Sequence, residues 1–140
     1  MRFRRTEWDV PMPAALVAYW TAWNETELDR LNDHLEAAVT ESVAWNDPRD
    51  SFVGRDELEL AIRRLRTSKP HYRFVIASEI DGHNNRCRYR WDMIGRGRTM
   101  MEGLDVVTLH STTGLIERVD GFFGDPTAVT HRSGVPAALR

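Results

Sequence analysis

The sequence predicts an α+β fold in which three helices cover one face of a curved, mainly antiparallel sheet. Apolar residues recur at helical spacing in the first half of the chain, up to Pro70, and alternate with polar residues over much of 71–123. Helices gathered on one side of an antiparallel sheet are typical of this class. A long sheet must twist and curl, so helices across its open side would enclose a small-molecule cavity.

Three helices are predicted before Pro70. The first begins near Pro13, a residue favoured in a first helical turn, and one face carries residues spaced three and four apart: Leu16, Tyr19, Trp20 and Trp23. Apolar stripes at 28–39 and 58–65 predict the second and third helices. The first two have almost no linker between them, so we expect them to pack as a bent pair.

Five strands are predicted, and one of them contains an unusual acid. A short strand at 43–45 ends in the turn Asn46-Asp47-Pro48, because proline disfavours a helical residue before it. The other strands follow the third helix: 71–80, 86–93, 99–110 and 115–123. Asp105 interrupts an apolar strand, and burying a charge is costly without a partner. The structural interpretations are an ion pair with Arg88 or Arg90, or a β-bulge residue beside Gly103.

Composition limits the class of protein. A chain of 140 residues suits one domain, which we place at 1–124, with a polar arm at 1–10 and a loose tail at 125–140. The net charge of −2 gives no reason to expect nucleic acid, and no stretch resembles a membrane span. Cys87 is the single cysteine, which fits a reducing compartment, so we expect a cytoplasmic protein. The histidines lack metal-type spacing, and we expect no metal and no cofactor.

Three local signatures, in this order, resemble the SnoaL-like branch of the nuclear transport factor 2-like superfamily. They are Tyr19-Trp20-Thr21-Ala22-Trp23-Asn24, then Asn46-Asp47-Pro48 followed by Gly54, then Gly103-Leu104-Asp105 leading to Gly114 and Gly121-Phe122-Phe123-Gly124. The resemblance covers about residues 11–124. It implies a cone-shaped, cystatin-like α+β barrel with a pocket between sheet and helices, and a homodimer formed through the sheets. Members differ in chemistry, and some are not catalytic.

Within that superfamily, the ketosteroid isomerase pattern matches three residues: Tyr19, Asp47 and Asp105. The resemblance implies that Asp47 moves a proton between substrate carbons, while neutral Asp105 and Tyr19 donate hydrogen bonds to the enolate oxygen. The expected activity is a cofactor-free isomerase or cyclase acting on a carbonyl compound. The expected ligand is a small, largely apolar molecule with one or two oxygens, in contact with Trp20, Trp23, Trp45, Trp91 and Phe122.

Other interpretations of the same residues stay open. Asp47 before proline is a common turn former, and Tyr19 can be a core residue. The chain can then be a non-catalytic module that binds a small molecule or dimerises. A further alternative resembles limonene epoxide hydrolases, in which an aspartate pair bridged by arginine activates water. Its candidates are Arg90, Asp92, Asp120 and Asn46.

Overall fold

A computed structural model of the chain describes residues 8–140. It contains three α-helices: α1 Ala14–Trp23, α2 Leu31–Ala38 and α3 Arg55–Ser68. It contains seven strands: β1 Val39–Asn46, β2 Ser51–Val53, β3 Arg73–Ile76, β4 Asp81–His83, β5 Arg86–Gly95, β6 Arg98–Leu109 and β7 Ile116–Phe123. Short 3₁₀ helices occur at Leu28–Arg30 and Ala137–Leu139.

The seven strands form one mixed sheet in the order β2-β1-β7-β6-β5-β3, with β4 also paired to β5. Strands β1 and β7 run parallel, and the other pairs are antiparallel. The edge strands β2 and β3 do not pair with each other, so the sheet curls without closing into a complete barrel. The predicted fold class, α+β with a curved sheet under three helices, is confirmed.

Two tight hairpins fix the register of β4, β5 and β6. The turn residues Asn84 and Asn85, and then Arg96 and Gly97, all have positive φ, which is the backbone requirement of a type I′ turn. Residues 81–83, between the predicted strands at 71–80 and 86–93, form the additional strand β4. The predicted strand at 71–80 is shorter than expected, since only 73–76 pair with β5.

The two ends of the described chain differ in how they contact the sheet. At the N-terminal end, Val10 N donates to Ile80 O at 2.9 Å, and Asp9 forms a bridge with Asp81. The remainder of the predicted arm, 1–7, lies outside the described residues. Beyond β7, the chain contains only the 3₁₀ turn at 137–139. Among residues 8–140, no helix has the length and apolar character needed to span a membrane.

Side-chain to backbone hydrogen bonds anchor the C-terminal end of α1, where the aromatic residues lie. Asn24 Nδ2 donates to Phe74 O at 2.9 Å, and Phe74 N donates to Asn24 Oδ1 at 2.7 Å. The buried Arg66 guanidinium on α3 donates to the carbonyls of Trp23 and Tyr72. Both carbonyls accept hydrogen bonds from Nη1, and burial lowers the pKa of Arg66. The end of α1 is therefore fixed to both α3 and β3.

Candidate functional site

A cavity of about 730 Å³ lies between the concave face of the sheet and helices α1 and α3. Its volume is in the range typical of small-molecule sites. Aromatic side chains form most of its apolar wall: Tyr19, Trp20, Trp23, Trp45, Phe52, Tyr72, Phe74, Trp91 and Phe123. Exposed charged side chains from the β1–β2 turn and α3 also line it: Arg49, Asp50, Glu57, Arg64 and Lys69. The cavity wall is therefore mainly aromatic, with charged side chains where it is exposed to solvent.

Cross-strand rows explain why one acid faces this cavity. Tyr89 of β5, Asp105 of β6 and Gly121 of β7 lie directly opposite one another. The rows on either side are apolar: Cys87, Val107 and Val119 in one, and Trp91, Gly103 and Phe123 in the other. Because side chains alternate along a strand, rows two residues apart share a face. Asp105 is therefore a single acid set between two apolar rows.

Both carboxylate oxygens of Asp105 accept hydrogen bonds from within the protein. Tyr89 Oη donates to Oδ2 at 2.9 Å, and Trp91 Nε1 donates to Oδ1 at 3.0 Å. Trp20 Nε1 on α1 donates to Tyr89 Oη at 3.0 Å, so the helix is joined to the acid through the tyrosine. Only 4% of Asp105 is exposed, and this network supplies the partners that a buried polar group requires.

Burial raises the pKa of Asp105 from 3.8 to about 6, because a carboxylate taken out of water loses solvation of its charge. The hydrogen bonds from Trp91 and Tyr89 oppose this rise, and the negative charge of Asp47 adds to it. At neutral pH most of the acid is ionised, yet it remains basic enough to take up a proton near that pH. The neutral form, which the ketosteroid isomerase pattern requires, predominates only below about pH 6.

The hydroxyl of Tyr19 has a donor that no described protein group uses. Its oxygen accepts a hydrogen bond from Trp45 Nε1 at 2.9 Å, while within residues 8–140 its own proton finds no acceptor. Burial raises the pKa of Tyr19 well above its usual value, and the charges of Asp105 and Asp47 add to the rise. The phenol therefore stays protonated and can donate a hydrogen bond to a molecule in the cavity.

Asp47 closes the turn after β1 at the edge of the cavity. Its Oδ1 accepts the backbone N–H groups of Arg49 and Asp50, both at 2.8 Å, which is the bonding expected of an aspartate in a turn. A methyl group built on Gly121 would lie 3.5 Å from Asp47 Cβ and 3.0 Å from Asp105 Oδ1. The absence of a side chain at Gly121 therefore leaves the space across which the two acids face each other.

The structure brings the three predicted catalytic residues, and most of the predicted ligand contacts, to this one cavity. They are Tyr19, Asp47 and Asp105, with Trp20, Trp23, Trp45 and Trp91. Phe122 is the exception, because it is 57% exposed and lies on the outer face of the sheet. The prediction for Phe122 is wrong because β7 pairs Gly121 with Asp105, which turns the next residue outward. Its neighbour Phe123 lines the cavity instead.

The residues proposed for epoxide hydrolysis lie outside the cavity. Arg90 and Asp92 flank Trp91 on β5, so the alternation that directs Trp91 inward directs both of them outward. Asp120 and Asn46 also lie on the outer face, where Asn46 Nδ2 donates to Asp120 Oδ1 at 3.3 Å. The epoxide hydrolase hypothesis is therefore wrong for this chain, because its charged groups cannot reach a molecule in the cavity.

Tyr89 is the site residue that the sequence analysis missed. Its position on the apolar side of a strand indicated a core residue, whereas its hydroxyl is a direct partner of Asp105. The expected ion pair between Asp105 and Arg88 or Arg90 does not form, because the inward-facing Tyr89 and Trp91 occupy both carboxylate oxygens. A hydroxyl on the buried side of the neighbouring strand was the signal that could have identified it.

The chain has two further kinds of group that could be reactive, metal-ligating side chains and one thiol. Within residues 8–140, no three His, Cys, Asp or Glu side chains lie together in a way that could hold a metal ion. Cys87 is buried in the row next to Asp105. Burial raises the pKa of its thiol to about 11, and the charge of Asp105 adds to the rise. The thiol therefore stays protonated at neutral pH, which does not favour a nucleophilic role.

Comparison with known proteins identifies relatives among solved structures. No protein-family model matches the chain, and no curated protein matches it. A proposed isomerase of the SnoaL-like family from Agrobacterium tumefaciens str. C58 is 34% identical, with a TM-score of 0.73 over 79% of this chain and 95% of that one. This identity over nearly the whole of the relative is enough to establish a shared family.

Two more distant structures share the fold. A proposed ketosteroid isomerase from Kribbella flavida DSM 17836 is 16% identical, with a TM-score of 0.60 over 91% of this chain and 92% of that one. A proposed SnoaL-like polyketide cyclase from Jannaschia sp. CCS1 is 11% identical, with a TM-score of 0.60 over 87% and 91% of the two chains. Together with the closer relative, they agree with the resemblance carried by the three sequence signatures. The chain belongs to the SnoaL-like family.

Proposed function

We propose that the chain is a cofactor-free isomerase or cyclase that transfers a proton on a small, largely apolar carbonyl compound. The observation that carries this proposal is Asp105, a hydrogen-bonded acid with a pKa of about 6 in the wall of an aromatic cavity. A group with this pKa can both accept and return a proton near neutral pH. The similar proteins described as isomerases and as a polyketide cyclase support the same class of reaction.

We assign Asp105 the role of proton acceptor and Tyr19 that of hydrogen-bond donor to the substrate oxygen. This assignment differs from the ketosteroid isomerase pattern, in which Asp47 is the base and Asp105 is a neutral donor. Protonation is the reason for the difference, because a pKa of about 6 leaves Asp105 mainly ionised at neutral pH. Tyr19, in contrast, stays protonated and keeps its donor for the cavity.

The proposed reaction balances without any external reagent. The Asp105 carboxylate takes the proton from a C–H bond next to the carbonyl, the C–H electron pair forms a C=C bond, and the C=O pair moves onto oxygen. The Tyr19 hydroxyl stabilises this enolate oxygen. When the substrate is a β,γ-unsaturated ketone, its C=C bond is conjugated with the enolate, so protonated Asp105 can return the proton to the γ-carbon; the C=C bond then lies next to the carbonyl, which gives an isomer. If the enolate carbon instead attacks a second carbonyl of the same molecule, the returned proton goes to the new alkoxide and a ring closes.

Asp47 has a supporting role in this proposal. Within the described residues, only its Oδ1 has hydrogen-bond partners, the N–H groups of Arg49 and Asp50. Its charge helps to keep the pKa of Asp105 raised. We propose that Asp47 keeps Asp105 basic and that its second oxygen connects the cavity with solvent. An Asp47→Asn variant should therefore shift the pKa of Asp105 downward and reduce the rate less than loss of Asp105 does.

Deuterium exchange at carbon tests the proposal before the natural substrate is known. Ketones of graded size, from cyclohexenone to 1-tetralone, are incubated with the protein in D₂O, and incorporation next to the carbonyl is followed by mass spectrometry. We expect catalysed exchange with at least one of these ketones. The rate should fall about 100-fold or more in Asp105→Asn, since a general base contributes at least that factor. It should also fall as the pH drops below about 6, where Asp105 becomes protonated.

Asp92→Asn is the matched control, because Asp92 lies on a neighbouring strand but on the outer face. It should leave exchange unchanged. The opposite pH profile, with a rate that falls as the pH rises through about 6, would show that neutral Asp105 acts as a donor and Asp47 as the base. Exchange that survives unchanged in Asp105→Asn would contradict the proposal at its centre.

A non-catalytic binding module is the second candidate. The observation that favours it is that both oxygens of Asp105 already accept hydrogen bonds, from Tyr89 and Trp91, as a purely structural acid would. A cavity of about 730 Å³ favours binding over a role in dimerisation alone. Saturable quenching of tryptophan fluorescence by the same ketones, without any catalysed deuterium incorporation, would support this second function over the first.

We also propose a homodimer formed through the outer faces of two sheets, as the resemblance implies. Phe122 supports this proposal, because it is a large apolar side chain exposed on that face. A Phe122→Lys variant should elute as a monomer in light-scattering chromatography while its circular dichroism is unchanged. The control is Leu60→Lys on α3, also exposed, which should stay dimeric. A cytoplasmic location remains part of the proposal and is supported by the single free thiol, Cys87.

A further inference from the structure

The four buried indole N–H groups of the chain are not used equally. Trp20 donates to Tyr89, Trp91 donates to Asp105, and Trp45 donates to Tyr19. Trp23 Nε1 is the exception, because it is buried and has no hydrogen-bond partner among residues 8–140. Trp23 is only 8% exposed, and it lines the cavity. A buried donor without a partner is uncommon in folded proteins, so this one requires an explanation.

The unpartnered N–H lies beside the Tyr19 hydroxyl. Trp23 follows Tyr19 by one helical turn on α1, so the two side chains share a face, and their ring centroids are 6.4 Å apart. The indole N–H of Trp23 acts to lower the pKa of Tyr19, which places it close to the phenol oxygen. Its geometry nevertheless falls short of a hydrogen bond. The proton of Tyr19 and that of Trp23 are thus two free donors in one part of the cavity wall.

The position of these donors complements that of the acid. Tyr19 and Trp23 belong to α1, which covers the sheet, whereas Asp105 belongs to β6 within the sheet. A planar ligand between the two layers can therefore offer an oxygen to the helix and a C–H bond to the strand. The flanking rings of Trp45 and Phe74, 6.2 and 5.5 Å from Trp23, give that oxygen apolar surroundings in which hydrogen bonds are strong.

We infer that Tyr19 Oη–H and Trp23 Nε1–H together form a subsite for one acceptor oxygen of a flat cyclic ketone or enone. This inference rests on the proposed function and names its substrate class. An oxygen with two lone pairs can accept from both groups at once, and the same pair of donors then stabilises the negative charge that develops when Asp105 removes a proton. A ligand without an acceptor oxygen leaves both buried donors unpaired, which lowers its affinity for the cavity.

Two probes that differ only at the carbonyl test the subsite directly. 1-Tetralone carries the acceptor oxygen, and tetralin has the same fused rings without it. In protein labelled with ¹⁵N in its tryptophans, the indole resonance of Trp23 is assigned by its loss in Trp23→Phe. We expect 1-tetralone to move the Trp23 indole proton downfield as a hydrogen bond forms, and tetralin to produce no comparable shift. Both probes are added to the 140-residue chain, and binding is followed by fluorescence.

Binding constants give a second, independent measurement. The wild-type protein should prefer 1-tetralone over tetralin, and Trp23→Phe should weaken 1-tetralone roughly 3- to 10-fold, the range for loss of one neutral hydrogen bond. Its affinity for tetralin should change by less than about twofold, because phenylalanine keeps an aromatic ring in the wall. The matched control is Trp8→Phe, since Trp8 is largely exposed and does not line the cavity. It should change neither affinity.

Three outcomes would overturn the inference. They are a Trp23 indole proton that does not move when 1-tetralone binds, a wild-type protein with no preference between the probes, and no binding of 1-tetralone up to its solubility. If Trp23→Phe fails to fold, the Trp23 indole resonance is assigned in the wild-type protein from its nuclear Overhauser contacts with the neighbouring rings of Trp45 and Phe74, and its shift is then the deciding result. The proposed catalysis fails separately, because a Trp23 shift without any Asp105-dependent deuterium exchange would leave the subsite standing and remove the enzyme.

Discussion

Replacing Asp105 by asparagine should change how the stability of the protein depends on pH. The pKa of Asp105 is raised from 3.8 to about 6 in the folded chain, so the folded state binds this proton more tightly than the unfolded state. The resulting stabilisation is fully present below about pH 3.8 and is lost as the pH rises through about 6. A difference of two pKa units or slightly more corresponds to about 3 kcal/mol, at about 1.4 kcal/mol per unit.

Asparagine has a similar shape but cannot ionise, so the variant should not suffer this loss. Urea unfolding of both proteins at several pH values gives their difference in free energy of unfolding. That difference should move in favour of Asp105→Asn by about 2 kcal/mol between pH 4.5 and pH 8, because about 1 kcal/mol of the total is already lost below pH 4.5. The same comparison with Asp92→Asn, on the outer face, controls for the loss of a negative charge.

Two results would refute the reasoning. A stability difference that is flat between pH 4.5 and 8 would mean that Asp105 has an ordinary pKa. A difference that moves in favour of the wild-type protein as the pH rises would mean that the hydrogen bonds from Tyr89 and Trp91 outweigh the loss of solvation, so that the pKa is depressed. In either case Asp105 would no longer be suited to accept a proton near neutral pH.

Three further substitutions test the wall around the acid. Gly121→Ala places a methyl group 3.0 Å from Asp105 Oδ1, so urea unfolding should show a loss of about 1–3 kcal/mol and exchange should slow. Gly103→Ala should cost more, since its methyl group would lie 2.0 Å from the Trp91 ring; near-ultraviolet circular dichroism should show the displaced indole. Tyr89→Phe removes a hydrogen bond that lowers the pKa of Asp105, so carbon NMR should show that pKa moving upward, and a downward shift would contradict the network.

The face of each strand was predictable where polar and apolar residues alternate, as in β5, but the register between strands was not. Counting back from the two-residue turn at 96–97, an unbroken ladder would place Asp105 opposite Arg88, on the outer face. A bulge near Met93 adds one residue to β6 and places Asp105 opposite Tyr89 instead. A one-residue shift reverses the face of every later side chain, and no local pattern in β6 announces where the bulge lies.

Long-range pairing explains the other differences. Phe122 and Phe123 are chemically alike, so sequence alone could not decide which faces inward; the pairing of Gly121 with Asp105 decides it. The strand predicted at 43–45 extends over 39–46 because β1 pairs with β7 in parallel, a contact between segments far apart in sequence. The positions of Tyr19 and Asp47 were predicted from the family resemblance and not from local sequence patterns. Local patterns could not predict them, because the meeting of the two residues in one cavity depends on the pairing of β1 with β7.

The protonation of Asp105 is the property on which the proposed chemistry depends most directly. It can be measured by labelling the aspartate carboxyl carbons with ¹³C, assigning the Asp105 signal by its loss in Asp105→Asn, and titrating the protein from pH 4 to 8. We predict a midpoint near 6. A midpoint near 4, or a carboxyl group that stays protonated throughout the titration, would contradict the role of this buried acid as the base.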